Sequence, residues 1–377
     1  MGEDSSTPVL NGGLASARDR TARDKIIDKI IQDRGPIFAA LDLGTNNCRL
    51  LIATPTARGF RIVDSFSRIV RLGEGLSSHG RLGDAAMDRA IGALTVCADK
   101  IARQGVKRVR SVATQACRSA ANGESFVAKV FDQTGLRLEI IAPLEEAQLS
   151  VAGCLDLLDT TMKAALVLDV GGGSTELSWI DLTAPGVRIE PRRLKHWRLP
   201  IGAWVSVPIG VVSLAEQFPQ GAAGDLVGYR AMIETVKTLI AGYSGAEAFR
   251  PAFAARAAHM VGTSGAITSL AGLHLNLSRY DRSRVDGLWM SDAECRDVAD
   301  RLAALTVPER AALACIGPDR ADLVLAGAAI LQAVQELWPC ERVRVADRGL
   351  REGLLLSLMS EQKRGCGRRR RAGVRAA

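Results

Sequence analysis

The chain has 377 residues, with 49 Lys and Arg against 41 Asp and Glu, four His, eight Cys, 47% apolar and only 4% aromatic side chains. At roughly 100–200 residues per domain that length implies two or three domains, and the ordinary apolar and charged fractions exclude wholesale disorder. No apolar run reaches the roughly 20 residues of a membrane-spanning helix, and Leu323–Val334 comes nearest. The N-terminus lacks a basic start followed by an apolar stretch, so a soluble, cytoplasmic protein without a membrane partner is expected.

The net charge of +8 belongs to one end. Residues 363–377 carry seven positive charges and no negative one, whereas residues 1–35 carry six of each sign. The body between them is therefore close to neutral. Such a tail reads as a solvated end that attracts nucleic acid or another polyanion only weakly. The cysteines form no C-x-x-C pair and no His stands at metal-ligand spacing, which argues against zinc and for reduced thiols.

In chain order, residues 1–20 read as disordered, and Ile26, Ile27, Ile30 and Ile31 mark a short amphipathic helix over 21–33. Together they form an N-terminal extension, 1–35. IFAALDL, CRLLIAT and FRIVDSFSRIV then read as three strands. A helix over 84–103, a strand at KRVRSVAT, a short helix at 123–133, strand LEII and a helix from Leu144 complete a first domain, 36–163. The second domain, 164–362, opens with strand ALVLDV, a Gly-rich turn, strand TELSWI and an extended segment near 189–199. Helices are expected around 223–243, 264–275, 291–303 and 320–337, with strands near 258–262 and 341–346. Its last helix is free to pack back on the first domain. Helices alternating with buried strands make this an α/β protein.

One feature repeats. LDLGTNNCRLL (41–51) and LDVGGGSTELS (168–178) both run strand, Asp, Gly-rich turn, strand, with Asp42 and Leu50 spaced like Asp169 and Leu177. Hairpin turns of this kind leave backbone N–H groups free to bind an anion. A carboxylate ending the preceding strand can hold a divalent cation that bridges to phosphate. Two such units predict two related domains with a phosphate chain held in the cleft between them.

DLGTNNCRLLI, LEEAQLSVAG, VLDVGGGSTELS, VGTSGAITSLAG and ADRGLREGLL resemble, in order and spacing, the motifs of the exopolyphosphatase and guanosine pentaphosphate phosphohydrolase (Ppx/GppA) family. The resemblance covers about 36–360. It implies two duplicated ribonuclease-H-like domains of the actin-like ATPase type. It also implies hydrolysis of a terminal phosphoanhydride of polyphosphate or pppGpp, Mg²⁺ as cofactor, a polyanionic phosphate substrate as partner and a possible homodimer. Glu146 matches the proposed general base. Asp169 and Glu176 match the acidic residues and, with Asp42, the Mg²⁺ ligands. Gly171, Gly172, Gly173, Ser174 and Thr175 would cradle phosphate, with Thr45 and Asn46 opposite and Arg118 as a cationic contact.

Two departures stand out. Gln148 replaces an arginine usual beside the base, and only a tail is read after about 362, where longer family members carry a helical domain, so a short two-domain form is expected. Arg68 and Arg71, then Lys107, Arg108 and Arg110, and then Arg192, Arg193, Lys195 and Arg198 are candidate guides for a polyanion. The competing readings are a small-molecule kinase of the same superfamily and a non-catalytic sensor of polyphosphate or alarmone.

Overall fold

Each repeated segment folds as an antiparallel hairpin at the centre of its own sheet. The computed structural model describes residues 36–57, 59–184, 199–219 and 225–360. The N-terminal extension, the basic tail and the cluster Arg192, Arg193, Lys195 and Arg198 lie outside the described residues.

The first sheet comprises β1 (Phe38–Leu43), β2 (Asn47–Thr56), β3 (Gly59–Ile69), β4 (Arg108–Ala113) and β5 (Leu138–Ile140), in the order β3-β2-β1-β4-β5. β1 runs antiparallel to β2 and parallel to β4, and β4 runs parallel to β5. The second sheet comprises β6 (Ala164–Val170), β7 (Thr175–Asp181), β8 (Ile201–Val207), β9 (Ala258–Thr263), β10 (Trp289–Ser291) and β11 (Arg342–Ala346). Its order is β10-β11-β9-β6-β7-β8, with β6 antiparallel to β7 and parallel to β9. Without the added edge strand β10, that is the first sheet again. The α/β fold is thus one ribonuclease-H-like topology used twice. β8 stands at 201–207, and the extended segment expected near 189–199 lies, up to residue 198, outside the described residues. β10 is a three-residue strand whose apolar signal is too short to read.

β1 and β6 are apolar at almost every position because helices cover both faces of each sheet. On the first sheet, α1 (Asp84–Arg103) and α2 (Gly123–Thr134) bury Met87, Ile91, Leu94, Phe126 and Val130 against Leu41, Leu50 and Ile52. On the other face lies a helix from each half. α3 (Pro143–Cys154) leaves the first domain, yet packs Val151 and Cys154 onto Val167, Ile180 and Val261 of the second sheet. The helix over 350–360 follows the second sheet, yet packs Leu354, Leu355 and Leu358 onto Phe38, Ala40 and Leu51 of the first. Fully burying a leucine contributes roughly 1.5–3 kcal/mol, so this exchange ties the halves together.

The two exchanged helices cross at glycines. A Cβ on Gly153 would lie 2.0 Å from the Gly349 carbonyl oxygen, and one on Gly353 would lie 2.0 Å from that of Leu149. At the opposite rim, Arg71 reaches across to both carboxylate oxygens of Asp322, at 2.8 and 3.0 Å. Glu216 accepts from the Gly75 amide and the Ser77 hydroxyl at 2.9 and 2.6 Å. No helix of the described residues is long and apolar enough to cross a membrane.

Candidate active site

Between the sheets lies a cleft of about 1070 Å³, lined by both hairpin loops, by Glu146 and by the segment 346–352. The loops meet directly. A Cβ on Gly172 would stand 2.9 Å from Thr45 Cβ and 3.1 Å from the Asn46 amide, and one on Gly173 would stand 2.9 Å from Thr45 Oγ1. None of Gly171, Gly172 and Gly173 adopts a positive φ. For Gly172 and Gly173 the glycine requirement therefore comes from this close approach and not from a left-handed backbone.

Each loop is held from behind by its carbonyls. The first amides of α4 (Val211–Gln217) donate to Gly171 and Gly172 carbonyls at 3.0 and 2.8 Å. In the first domain, Gly73 donates to the Thr45 carbonyl, and Val70 and Arg71 donate to that of Asn46. In a trans peptide the N–H points opposite to the C=O of the same unit. The amides of Gly172, Gly173 and Asn46 are therefore turned away from these supports, and they donate to no described residue. Gly172 and Gly173 are half-buried and line the cleft together with Asn46, and successive free backbone amides of this kind suit an anion.

Glu146 lies in the first turn of α3, where a carboxylate is favoured by the helix dipole. It is buried, and burial first, then Glu176, Asp169 and Asp42, push its carboxyl well above the ordinary value, opposed by Arg118. Arg118 donates to Glu146 Oε2 at 3.2 Å and to the Ile141 carbonyl at 2.7 Å. Arg118, expected as a phosphate contact, is outside the cleft lining, with its guanidinium on Glu146 and the Ile141 carbonyl.

Asp42 and Asp169 are the penultimate residues of strands β1 and β6 and line the cleft from the two halves. Burial raises both, Asp42 to about 6 with Arg49 opposing, and Asp169 against a hydrogen bond from Ser150. Asp42 and Arg49 are cross-strand partners in the β1–β2 register. Thr45, Asn46, Gly171, Gly172, Gly173 and Ser174 also line the cleft, whereas Thr175 and Glu176 do not. The Thr175 hydroxyl is committed to the Ile209 carbonyl at 2.7 Å, so it offers phosphate nothing. Glu176, the cross-strand partner of Asp169, accepts from Ser206 at 2.8 Å.

Among the described residues, no group of three or more His, Cys, Asp or Glu is arranged to hold a metal ion. Mg²⁺ needs no such cage, because it keeps several waters and uses one or two carboxylates plus phosphate oxygens. The residues present fit that habit. Asp42 and Asp169 approach from opposite sides, and Asn46 Oδ1 and Asn47 Oδ1 are buried acceptors with no partner among the described residues. The waters of a hydrated cation would satisfy both acceptors.

Several cleft residues escape sequence reasoning. Arg49, Arg320 and Arg351 converge closely enough that burial first, and then Arg351, lower the Arg49 guanidinium. Arg49 was within reach of inspection, since the hairpin register pairs it with Asp42. Arg320 and Arg351 arrive from distant segments. Ser264, Gly265 and Ser269 make VGTSGAITSLAG a wall of the cleft. Gln148 is exposed and outside the cleft lining, so the departure from the arginine pattern falls on a side chain that does not face the cleft. Three of the expected guides are engaged elsewhere: Arg71 with Asp322, Arg108 with the Leu358 carbonyl, and Arg110 with Glu139 and Glu145.

Comparison with known proteins gives this arrangement a lineage. The sequence pattern of the Ppx/GppA phosphatase family matches residues 51–362. The chain belongs to that family. Exopolyphosphatase 2 of Mycobacterium tuberculosis is 32% identical over 337 residues, which span 85% of this chain and 98% of that protein. Guanosine-5′-triphosphate,3′-diphosphate pyrophosphatase of Aeromonas hydrophila is 28% identical over 86% of this chain, a match that spans 60% of the Aeromonas protein. Among solved structures, the Aquifex aeolicus member of the Ppx/GppA family superposes with a TM-score of 0.69 at 27% identity, covering 87% of this chain and 98% of that one.

Proposed function

We propose that the chain is a phosphoanhydride hydrolase that releases the terminal phosphate of inorganic polyphosphate, the 5′ γ-phosphate of pppGpp, or both. The observation that carries this reading is the placement of Glu146 in one cleft with two opposed loops whose amides face inward. The named relatives, an exopolyphosphatase and a guanosine pentaphosphate pyrophosphatase, support the same substrate class.

The terminal phosphoryl would lie between the loops, its oxygens accepting from the amides of Gly172, Gly173 and Asn46. Arg49, Arg320 and Arg351 would receive the following phosphates, for which a guanidinium is suited. A water beside Glu146 would attack phosphorus in line. Glu146 would take the proton, and the phosphoanhydride oxygen would leave with the shortened chain. Burial makes Glu146 a stronger base than an exposed glutamate, while Arg118 favours its ionised form and fixes its orientation. Asp42 and Asp169 would hold hydrated Mg²⁺, which when bound offsets the charge on the phosphoryl oxygens.

The test is phosphate release in the presence of Mg²⁺ from long polyphosphate, short polyphosphate and pppGpp in parallel. Glu146→Ala is expected to lower the rate by about 10²–10⁴-fold, as loss of a general base does, with substrate binding retained. Full activity in that variant would overturn the role of Glu146.

A further inference from the structure

Four residues after Glu146 on the same face of α3, Ser150 is almost completely buried, at 1% exposure. Its hydroxyl donates a short hydrogen bond to Asp169 Oδ2, the only hydrogen bond that Asp169 receives from a described side chain. The bond crosses between halves, because α3 emerges from the first domain and Asp169 ends the central strand of the second. Ser150 is held there by the glycine crossing. A Cβ on Gly349 would lie 3.5 Å from Ser150 Oγ and 3.2 Å from Thr263 Oγ1, whose own hydroxyl donates to the Arg348 carbonyl at 2.7 Å. The serine hydroxyl therefore lies beside the Gly349 backbone, with no side chain of that residue between them.

We propose that Ser150 is a positioning residue that couples the general base to the cation site. By holding one oxygen of Asp169, it leaves the other aimed at the cation and fixes α3, and so Glu146, in register with the end of β6. Residues that hydrogen-bond a metal-binding side chain and orient it typically contribute 10–100-fold to metal affinity or activity. This inference rests on the hydrolase reading and its Mg²⁺ site, and it concerns a residue outside the cleft lining.

The experiment compares wild type, Ser150→Ala, Ser150→Cys and Ser150→Thr by calorimetric titration with Mn²⁺ in the absence of substrate, and by phosphate release across a Mg²⁺ series. Alanine removes the donor, cysteine keeps the volume with a weak donor, and threonine restores the hydroxyl. The expected result is Mn²⁺ binding and half-saturating Mg²⁺ weakened about 10–100-fold in the alanine and cysteine variants and recovered in the threonine variant. The substrate KM at saturating Mg²⁺ is expected to stay within twofold of wild type, a split that simple loosening of the fold would not produce. Unchanged Mn²⁺ affinity in both Ser150→Ala and Ser150→Cys, beside a wild type that binds, would overturn this inference alone. A wild type that binds no Mn²⁺ would overturn it together with the cation site on which it rests.

Discussion

Arg118 commits its guanidinium to Glu146 and to the Ile141 carbonyl, and this sets what it can do for the reaction. A cation beside a buried carboxylate favours the charged form, so Arg118 opposes the rise that burial imposes on Glu146. Removing it leaves Glu146 protonated to higher pH. Arg118→Ala is therefore expected to shift the acidic limb of the kcat/KM profile upward, with a smaller shift in Arg118→Lys, as read from a pH–rate series. An unshifted limb would separate Arg118 from the base. From the sequence, an arginine near two loop motifs reads equally well as a phosphate contact. Only the packing of α3 against the segment carrying Arg118 decides between them. Thr175 teaches the same lesson, since its hydroxyl looks available beside GGGS until the Ile209 carbonyl is found next to it.

At the scale of elements, glycine is required in two places for one reason: backbone comes too close for a Cβ. In the loops this lets the two hairpins touch across the cleft. At the helix crossing it lets α3 and the helix over 350–360 pass at backbone contact, each having left its own domain for the other's sheet. The carbonyl of Leu149 sits where the methyl of Gly353→Ala would go, and backbone cannot move aside as a flexible side chain can. That substitution is expected to destabilise the fold by about 1–3 kcal/mol or more, the range for forced overpacking. Urea denaturation of wild type and variant would measure it, and an unchanged midpoint would show that the crossing tolerates more separation than its geometry indicates.

Across the whole molecule, burial gathers carboxylates from both domains around one cleft. Asp42 is raised from an ordinary 3.8 to about 6 and Glu176 from 4.5 to about 7, in both cases with burial as the largest cause. The folded chain thus binds more protons than the unfolded chain between about pH 4 and pH 7. Stability then falls as pH rises through that window, the reverse of ordinary salt-bridged carboxylates. In EDTA, the Tm is expected to decline between pH 5 and pH 7.5. Added Mg²⁺ would recover it increasingly toward the upper end, because a cation that binds only the folded state stabilises it by mass action. A Tm that rises over that interval in EDTA would show that the carboxylates are compensated within the protein. The rim contacts of Arg71 and Glu216 bring the same two domains together on the other side of the cleft, but they are too exposed to offset this effect.

The duplicated α/β plan, the two hairpins and the residues that end their first strands were legible in the sequence. They are local: apolar runs, a glycine-rich turn and an acid at fixed spacing report on a few neighbouring residues, and a repeat of that pattern reports on a repeat of the fold. Arg49 was legible in principle through its strand register with Asp42. The return of the last helix to the first domain was offered by the sequence and fixed by packing, whereas tertiary structure alone decided that the loops touch, that α3 packs on the second sheet, that Arg118 pairs with Glu146, that Arg320 and Arg351 line the cleft and that Ser150 meets Asp169. Each of these depends on segments far apart in sequence meeting across the two domains. No periodicity along the chain encodes such a meeting, because it is fixed by packing between elements and not within them.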